Sequence, residues 1–169
     1  MNCIRDHENL HQKTILLRLD LNVPLKNGHI TDETRIDKII PVIKFLIKKK
    51  SKILIISHVG RPNGKINKIL SLKPICENLE KKLKLKIRLL NDDIFGLKKE
   101  NLFKNPNDQI IFLENIRFYR EEEKNDTSFA KHLAGLADLY VNDAFSCSHR
   151  AHTSVSKITK FLPSFAGLQ

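Results

Sequence analysis

Four short, mostly apolar runs set the limits on what this chain can fold into. They are Thr14–Leu19, Ile53–Ile56, Gln109–Leu113 and Leu139–Val141, and they break off at Asp20, Ser57, Glu114 and Asn142. Runs of this length and character read as strands buried on both faces. The segments between them carry a different period. Ile36, Ile39, Ile40, Ile43 and Ile47 recur at helical spacing, with Lys38, Lys44 and Lys48 off that stripe, which predicts an amphipathic helix with a bend at Pro41. Ser71 is placed to cap a helix over Leu72–Leu83, with Pro74 tolerated in its first turn. Asp126 or Thr127 opens another helix that runs to about Leu136. Lys86–Leu90 reads as a weaker strand and Asp92–Lys104 as holding a short helix. Glu114–Asn125 reads as a charged loop. Thr153–Ile158 reads as a short helical piece followed by an apolar tail. Strands alternating with helices predict an α/β fold, a parallel sheet with helices on both faces.

Composition narrows the functional classes. The 169 residues hold 30 Lys+Arg against 19 Asp+Glu, a formal net charge of +11. Such a charge suits nucleic acid, an acidic membrane or an anionic small molecule. Most of it is Lys, in runs such as Lys48–Lys50 and Lys81–Lys86 that read as solvated faces. Aromatic residues are 7% with no Trp, so platforms for stacking bases are scarce and nucleic acid is not expected. No apolar run approaches the roughly 18 residues of a spanning helix, so no membrane role is expected. The polar start Met1–Asp6 is not followed by a secretory apolar region, and a cytoplasmic location is expected. Cys3, Cys76 and Cys147 are odd in number and far apart, unlike a disulfide framework or a zinc site.

The informative residues follow the strands. In an open parallel sheet, ligands bind beyond the carboxyl ends of the strands. Asp20 and Asn22 follow the first run, and His58, Gly60 and Arg61 the second. Arg117 follows the third, and Asn142, Asp143, His149 and Arg150 the fourth. Arg35 stands just ahead of its helix. Guanidinium forks from several loops suit a small, highly charged anion, because each can grip phosphate or carboxylate at two points. His58 and His149 are expected to add donors that can be charged, and Asp20 and Asn22 to accept from hydroxyl groups. The pattern thus points to a phosphorylated, hydroxylated metabolite. Competing sites are poorer. Gly60–Ile66 departs from a phosphate loop in spacing and lacks its hydroxyl residue. His149 and His152 lack a third metal ligand nearby. Cys147 reads as packed, and Glu121-Glu122-Glu123 as a solvated acidic turn.

These rim residues fall in a recognisable set. Arg18-Leu19-Asp20-Leu21-Asn22-Val23-Pro24, Asp32-Glu33-Thr34-Arg35-Ile36 and Ser57-His58-Val59-Gly60-Arg61-Pro62 are followed by Leu113-Glu114-Asn115-Ile116-Arg117-Phe118, Val141-Asn142-Asp143-Ala144-Phe145 and His149-Arg150-Ala151-His152. In this order the six segments resemble the N-terminal, glycerate-binding lobe of the phosphoglycerate kinase family, over nearly the whole chain. The resemblance implies a Rossmann-like three-layer lobe of a two-lobed kinase of glycolysis and gluconeogenesis. That enzyme moves a phosphoryl group between 1,3-bisphosphoglycerate and ADP, giving 3-phosphoglycerate and ATP. By the resemblance, Asp20, Leu21 and Asn22 line the glycerate, and His58, Val59, Gly60 and Arg61 wrap it. Arg117, His149 and Arg150 hold its phosphate, and Arg35 is the catalytic cation. No covalent enzyme intermediate is implied. Residues 1–169 are expected to form a single N-terminal domain, with the C-terminal nucleotide-binding domain absent. Mg-ATP or Mg-ADP would be bound mainly by that second lobe, leaving no cofactor or metal site here, and a monomer is expected. The alternatives are a non-catalytic module that holds 3-phosphoglycerate and a basic nucleic-acid-binding domain. The sequence departs from the family pattern at Val59, where Leu is frequent, at Ser146-Cys147-Ser148, where small residues are usual, and at Gln169, which interrupts an apolar run.

Overall fold

The computed structural model describes residues 1–169. The first apolar run forms β1 (Thr14–Leu19), followed by a small hairpin of β2 (Leu25–Lys26) and β3 (His29–Ile30). Helix α1 (Thr34–Lys48) buries Ile36, Ile39, Val42, Ile43 and Leu46. Pro41 lies inside it on the solvent side, where the carbonyl it leaves unpaired can be hydrated. Strand β4 (Lys52–Ile56) leads through a long loop to α2 (Lys73–Leu83) and β5 (Arg88–Leu90). The α2 start is secured from two sides. The Ser71 hydroxyl accepts from the Lys73 amide, and the Glu114 carboxylate accepts from the Leu72 amide and the Ser71 hydroxyl. A 3-10 turn at Ile94–Gly96 and α3 (Lys99–Leu102) precede β6 (Ile110–Leu113).

The segment read as a charged loop is structured. It holds a 3-10 turn at Ile116–Phe118 and α4 (Arg120–Glu123). Helix α5 (Thr127–Ala134) follows, with the Asp126 carboxylate accepting from the Phe129 amide as its cap. Then come β7 (Leu139–Asp143), 3-10 turns at Phe145–Cys147 and Lys157–Lys160, and β8 (Ser164–Ala166). That last strand lies in what read as an apolar tail. It exists by pairing with β7 and by contacts from Asn2 and Cys3 near the other end of the chain.

The six-stranded sheet has the order β5-β6-β4-β1-β7-β8, every pair parallel. Alternation along the strands builds two cores. Ile15, Leu17, Ile53, Ile55, Ile110, Phe112 and Val141 pack on one face with α1 and α2. Leu16, Leu54, Ile56, Ile111, Leu113 and Tyr140 pack on the other with α5. A parallel sheet covered on both faces is the arrangement that tolerates runs this apolar. None of the helices is long and apolar enough to cross a membrane.

The topology decides where ligands fit. From β1 the chain moves to β4 on one side, and it returns later to β7 on the other. The connections after β1 and β7 therefore diverge, leaving a crevice at the carboxyl edge beside β1.

Candidate functional site

Four loops meet at that crevice. The first is pinned to its own strand end. Ser57 donates to the Leu19 carbonyl at 2.7 Å and accepts from the Leu21 amide at 3.2 Å. Asp20 accepts from Arg35 at 3.0 Å and from the Ser146 hydroxyl at 2.5 Å, joining the β1 loop, α1 and the segment after β7. Arg35 also donates to the Asn22 carbonyl at 3.1 Å, and the Asn22 side chain accepts from the Gly60 amide at 2.9 Å.

The loop after β4 turns at Gly60, whose φ is +64°. A β-carbon there would sit 2.6 Å from Leu70, so the position suits glycine on two counts. Asn115, fully buried after β6, donates to the Val59 and Leu70 carbonyls, both at 2.9 Å, and so clamps both ends of this loop. The Gly64 amide donates to the Arg117 carbonyl at 3.1 Å.

The result is a cleft of about 230 Å³ lined by Asp20, Asn22, Arg35, His58, Gly60, Arg61, Arg117, Ser146, Cys147 and Arg150. Four guanidinium groups face one carboxylate. Arg61 and Arg150 are exposed at the rim. Arg117 is different: it is 5% exposed, its Nε has no hydrogen-bond partner, and Nη1 reaches the Gly60 carbonyl only at 3.5 Å. The nearest carboxylate, on half-exposed Glu123, is 3.7 Å away. A buried cation held so loosely is a strong attractor for an anion.

His58 is 2% exposed. Burial pushes its pKa down to about 2, aided by Arg18, Arg117, Arg150 and His152. The imidazole is therefore neutral in ordinary buffers, which corrects the expectation of a chargeable donor. Burial also lowers the pKa of His152, with Arg117 reinforcing it.

Eight of the expected site residues line the cleft: Asp20, Asn22, Arg35, His58, Gly60, Arg61, Arg117 and Arg150. Leu21 and Val59 point their side chains into the core, so only their main chain is available to the cleft. His149 is exposed and is not part of the lining. Asp143 is buried and turned away, accepting from the Leu168 and Gln169 amides. Cys147 is packed with Ala144 and Val155, yet its edge lines the cleft.

Beneath the cleft lies a polar network that reading the sequence did not reveal. Arg18, Ser57, Glu122 and Ser154 are all buried. Glu122 is fully buried, not part of a solvated turn, and burial raises its pKa against the opposing pull of Arg18 and Ser154. The one available signal was Arg18, a cation inside an otherwise apolar run. Glu122 and Ser154 lie 32 positions apart and share no local pattern.

A larger cavity, about 750 Å³, lies elsewhere, among Ile66, Pro74, Leu89, Ile94, Phe118 and Tyr119. Its Glu114 carboxylate is already bonded to Ser71, Leu72 and Asn115. Volume and chemistry disagree here, and the convergent cations single out the smaller cleft.

The family model described as phosphoglycerate kinase matches residues 4–169. A phosphoglycerate kinase from Wolbachia pipientis wMel is 54% identical over 159 residues, covering 94% of this chain and 39% of the relative. One from Dictyoglomus turgidum is 47% identical, covering 98% of this chain and 41% of its own length. The solved phosphoglycerate kinase of Coxiella burnetii superposes with a TM-score of 0.87 at 39% identity, over 98% of this chain and 41% of that one. That of Pyrococcus horikoshii gives 0.83 at 30% identity, over 99% and 42%. The chain thus spans about two-fifths of these proteins.

Proposed function

The chain belongs to the phosphoglycerate kinase family, and from that premise we propose that residues 1–169 form one domain, its glycerate-binding lobe. The ligand is 3-phosphoglycerate or 1,3-bisphosphoglycerate. The observation that carries this reading is the cluster of Arg35, Arg61, Arg117 and Arg150 around one small cleft, with Arg117 buried and underbonded. Arg61, Arg117 and Arg150 hold the phosphate, with exposed His149 close by in the chain. Asp20 and Asn22 receive the hydroxyl, and His58 donates to the anion as a neutral imidazole. Leu21, Val59 and Gly60 supply main chain to the wall.

In this reading the nucleotide, as Mg-ATP or Mg-ADP, is brought by a second lobe outside these residues. Arg35 is the catalytic cation. Tied to Asp20 and the Asn22 carbonyl and 46% exposed, it is held at the rim where a phosphoryl group would pass between carboxyl oxygen and nucleotide. Its charge there offsets the charge spread over the transferring oxygens, since phosphoryl transfer depends chiefly on positioning and electrostatics. One lobe alone cannot exclude water or fix both reactants, so these residues alone are expected to bind without turnover. Work inside the cytosol and a monomeric state belong to the same reading.

Calorimetric titration with 3-phosphoglycerate tests it. Arg61→Ala, Arg117→Ala and Arg150→Ala should each weaken binding by about 1.5–3 kcal/mol, the scale of a hydrogen bond to a charged group. Lys49→Ala, on a solvated run, should change nothing. Equal affinities across all four would exclude the cleft. In an ATP-forming assay with 1,3-bisphosphoglycerate and ADP, the chain alone should be silent. Adding a nucleotide lobe should restore turnover, which Arg35→Ala should remove.

A further inference from the structure

Arg18 occupies the penultimate position of the central strand, 1% exposed, where a charged residue is costly unless it is bonded on several sides. Its Nη2 lies 2.8 Å from His58 Nδ1, its Nε 3.0 Å from the Ser154 hydroxyl, and its Nη1 2.6 Å from the Leu19 carbonyl. The Ser154 hydroxyl in turn donates to Glu122 Oε1 at 2.5 Å. The direction of every bond follows from inventory. A guanidinium has five N–H donors and no acceptor. A hydroxyl has one proton, here spent on the carboxylate, so toward Arg18 it accepts. By the same reasoning His58 Nδ1 must present its lone pair to Arg18. The ring proton then resides on Nε2, the nitrogen that bonds to nothing in the chain on a ring that lines the cleft.

We propose that Arg18, braced by Ser154 and Glu122, is a positioning residue that fixes His58 as the neutral Nε2–H tautomer, so that His58 offers the bound anion a directed hydrogen bond and not a charge. The opposite tautomer would aim a ring proton at a guanidinium donor. The imidazolium would do so too, among Arg18, Arg117, Arg150 and His152, the cationic and titratable groups around the ring. The consequence for recognition is a division of labour: the rim arginines supply attraction and His58 supplies geometry. The identity of the anion rests on the reading above, whereas the tautomer does not.

Histidine-selective ¹⁵N NMR of the ligand-free chain, with His58 assigned from the spectrum of His58→Gln, reads the tautomer directly. The expected spectrum shows Nδ1 unprotonated and Nε2 protonated from pH ~5 to ~8, the range in which an ordinary histidine titrates. A proton on Nδ1, or an imidazolium in that range, overturns the proposal. Arg18→Met combined with Glu122→Gln removes the donor without stranding the buried carboxylate. In that folded variant His58 should become a mixture of tautomers, and binding of 3-phosphoglycerate should weaken in proportion to the fraction that loses the Nε2–H form, about twofold for an even mixture. A folded double variant that keeps the pure Nε2–H form overturns the assignment to Arg18. If the double variant does not fold, the wild-type spectrum still decides the tautomer, and Ser154→Ala, which removes the brace alone, should broaden or shift the His58 resonances. Unmoved resonances would count against the network. Wild-type protein with the expected tautomer but no affinity for 3-phosphoglycerate would remove the assigned ligand and leave the tautomer standing.

Discussion

Replacing Arg117 by methionine should separate stability from binding. The side chain is 5% exposed and its Nε lacks a partner. The single protein hydrogen bond, at 3.5 Å to the Gly60 carbonyl, is at the limit of a useful interaction. Burial pulls its pKa below the ordinary value, the sign of a charge poorly accommodated in the free protein. The contact with half-exposed Glu123 at 3.7 Å is worth at most about 1 kcal/mol. Methionine keeps the length and the apolar stem and removes the underbonded cation. The variant should therefore be as stable as the parent or up to about 2 kcal/mol more stable. For a chain of this size that is a Tm shift of about 0 to 8 °C upward. Binding should move the other way. One charge-assisted bond contributes about 1.5–3 kcal/mol, so losing it raises Kd about 10- to 150-fold, and a two-pronged contact raises it further. Urea unfolding gives the first quantity and calorimetry with 3-phosphoglycerate the second. A variant that loses more than about 2 kcal/mol of stability yet binds with unchanged Kd would refute the view that Arg117 is held in reserve for an anion.

Other outcomes follow from the same structure. His58 has a folded pKa of about 2 against 6.5 when unfolded; below pH 6.5 the unfolded chain takes a proton that the folded chain refuses, so stability falls with pH by up to about 1.4 kcal/mol per unit. Urea unfolding between pH 6.5 and ~5 should show a shallower acid limb for His58→Asn, and parallel limbs would contradict the neutral imidazole; Glu122 and Asp143, with raised pKa values, act in the opposite sense in both proteins and cancel in the comparison. Gly64→Ala places a β-carbon 2.2 Å from Arg120 Cγ and 3.0 Å from its Cα at a φ of +75°; it should cost about 1–3 kcal/mol, measured by thermal unfolding, and loosen the loop that carries Arg61. Asp126→Ala removes the α5 cap and should cost about 1 kcal/mol, with Asp126→Asn recovering most of it in the same measurement.

The sequence alone determined the layers and the edge. Four apolar runs ending at polar residues were enough to specify a parallel sheet buried on both faces. That burial is largely a local property, since a strand covered on both faces is apolar at most of its positions whatever its neighbours are, with Arg18 of β1 as an exception. The same endings put Asp20, Asn22, His58, Arg61, Arg117 and Arg150 on one rim. Tertiary structure decided what those groups are. His58 looked like a group able to carry charge, and burial beside Arg18 made it neutral. Glu122 looked like part of a solvated turn, and the packing of α4 against the Thr153–Ser154 segment made it a buried acceptor. Strand β8 looked like a tail because three residues carry too little pattern; its pairing with β7 and its contacts from Asn2 and Cys3 made it a strand. In each case the deciding partner lies far away in the chain, and desolvation depends on everything that surrounds a group in space.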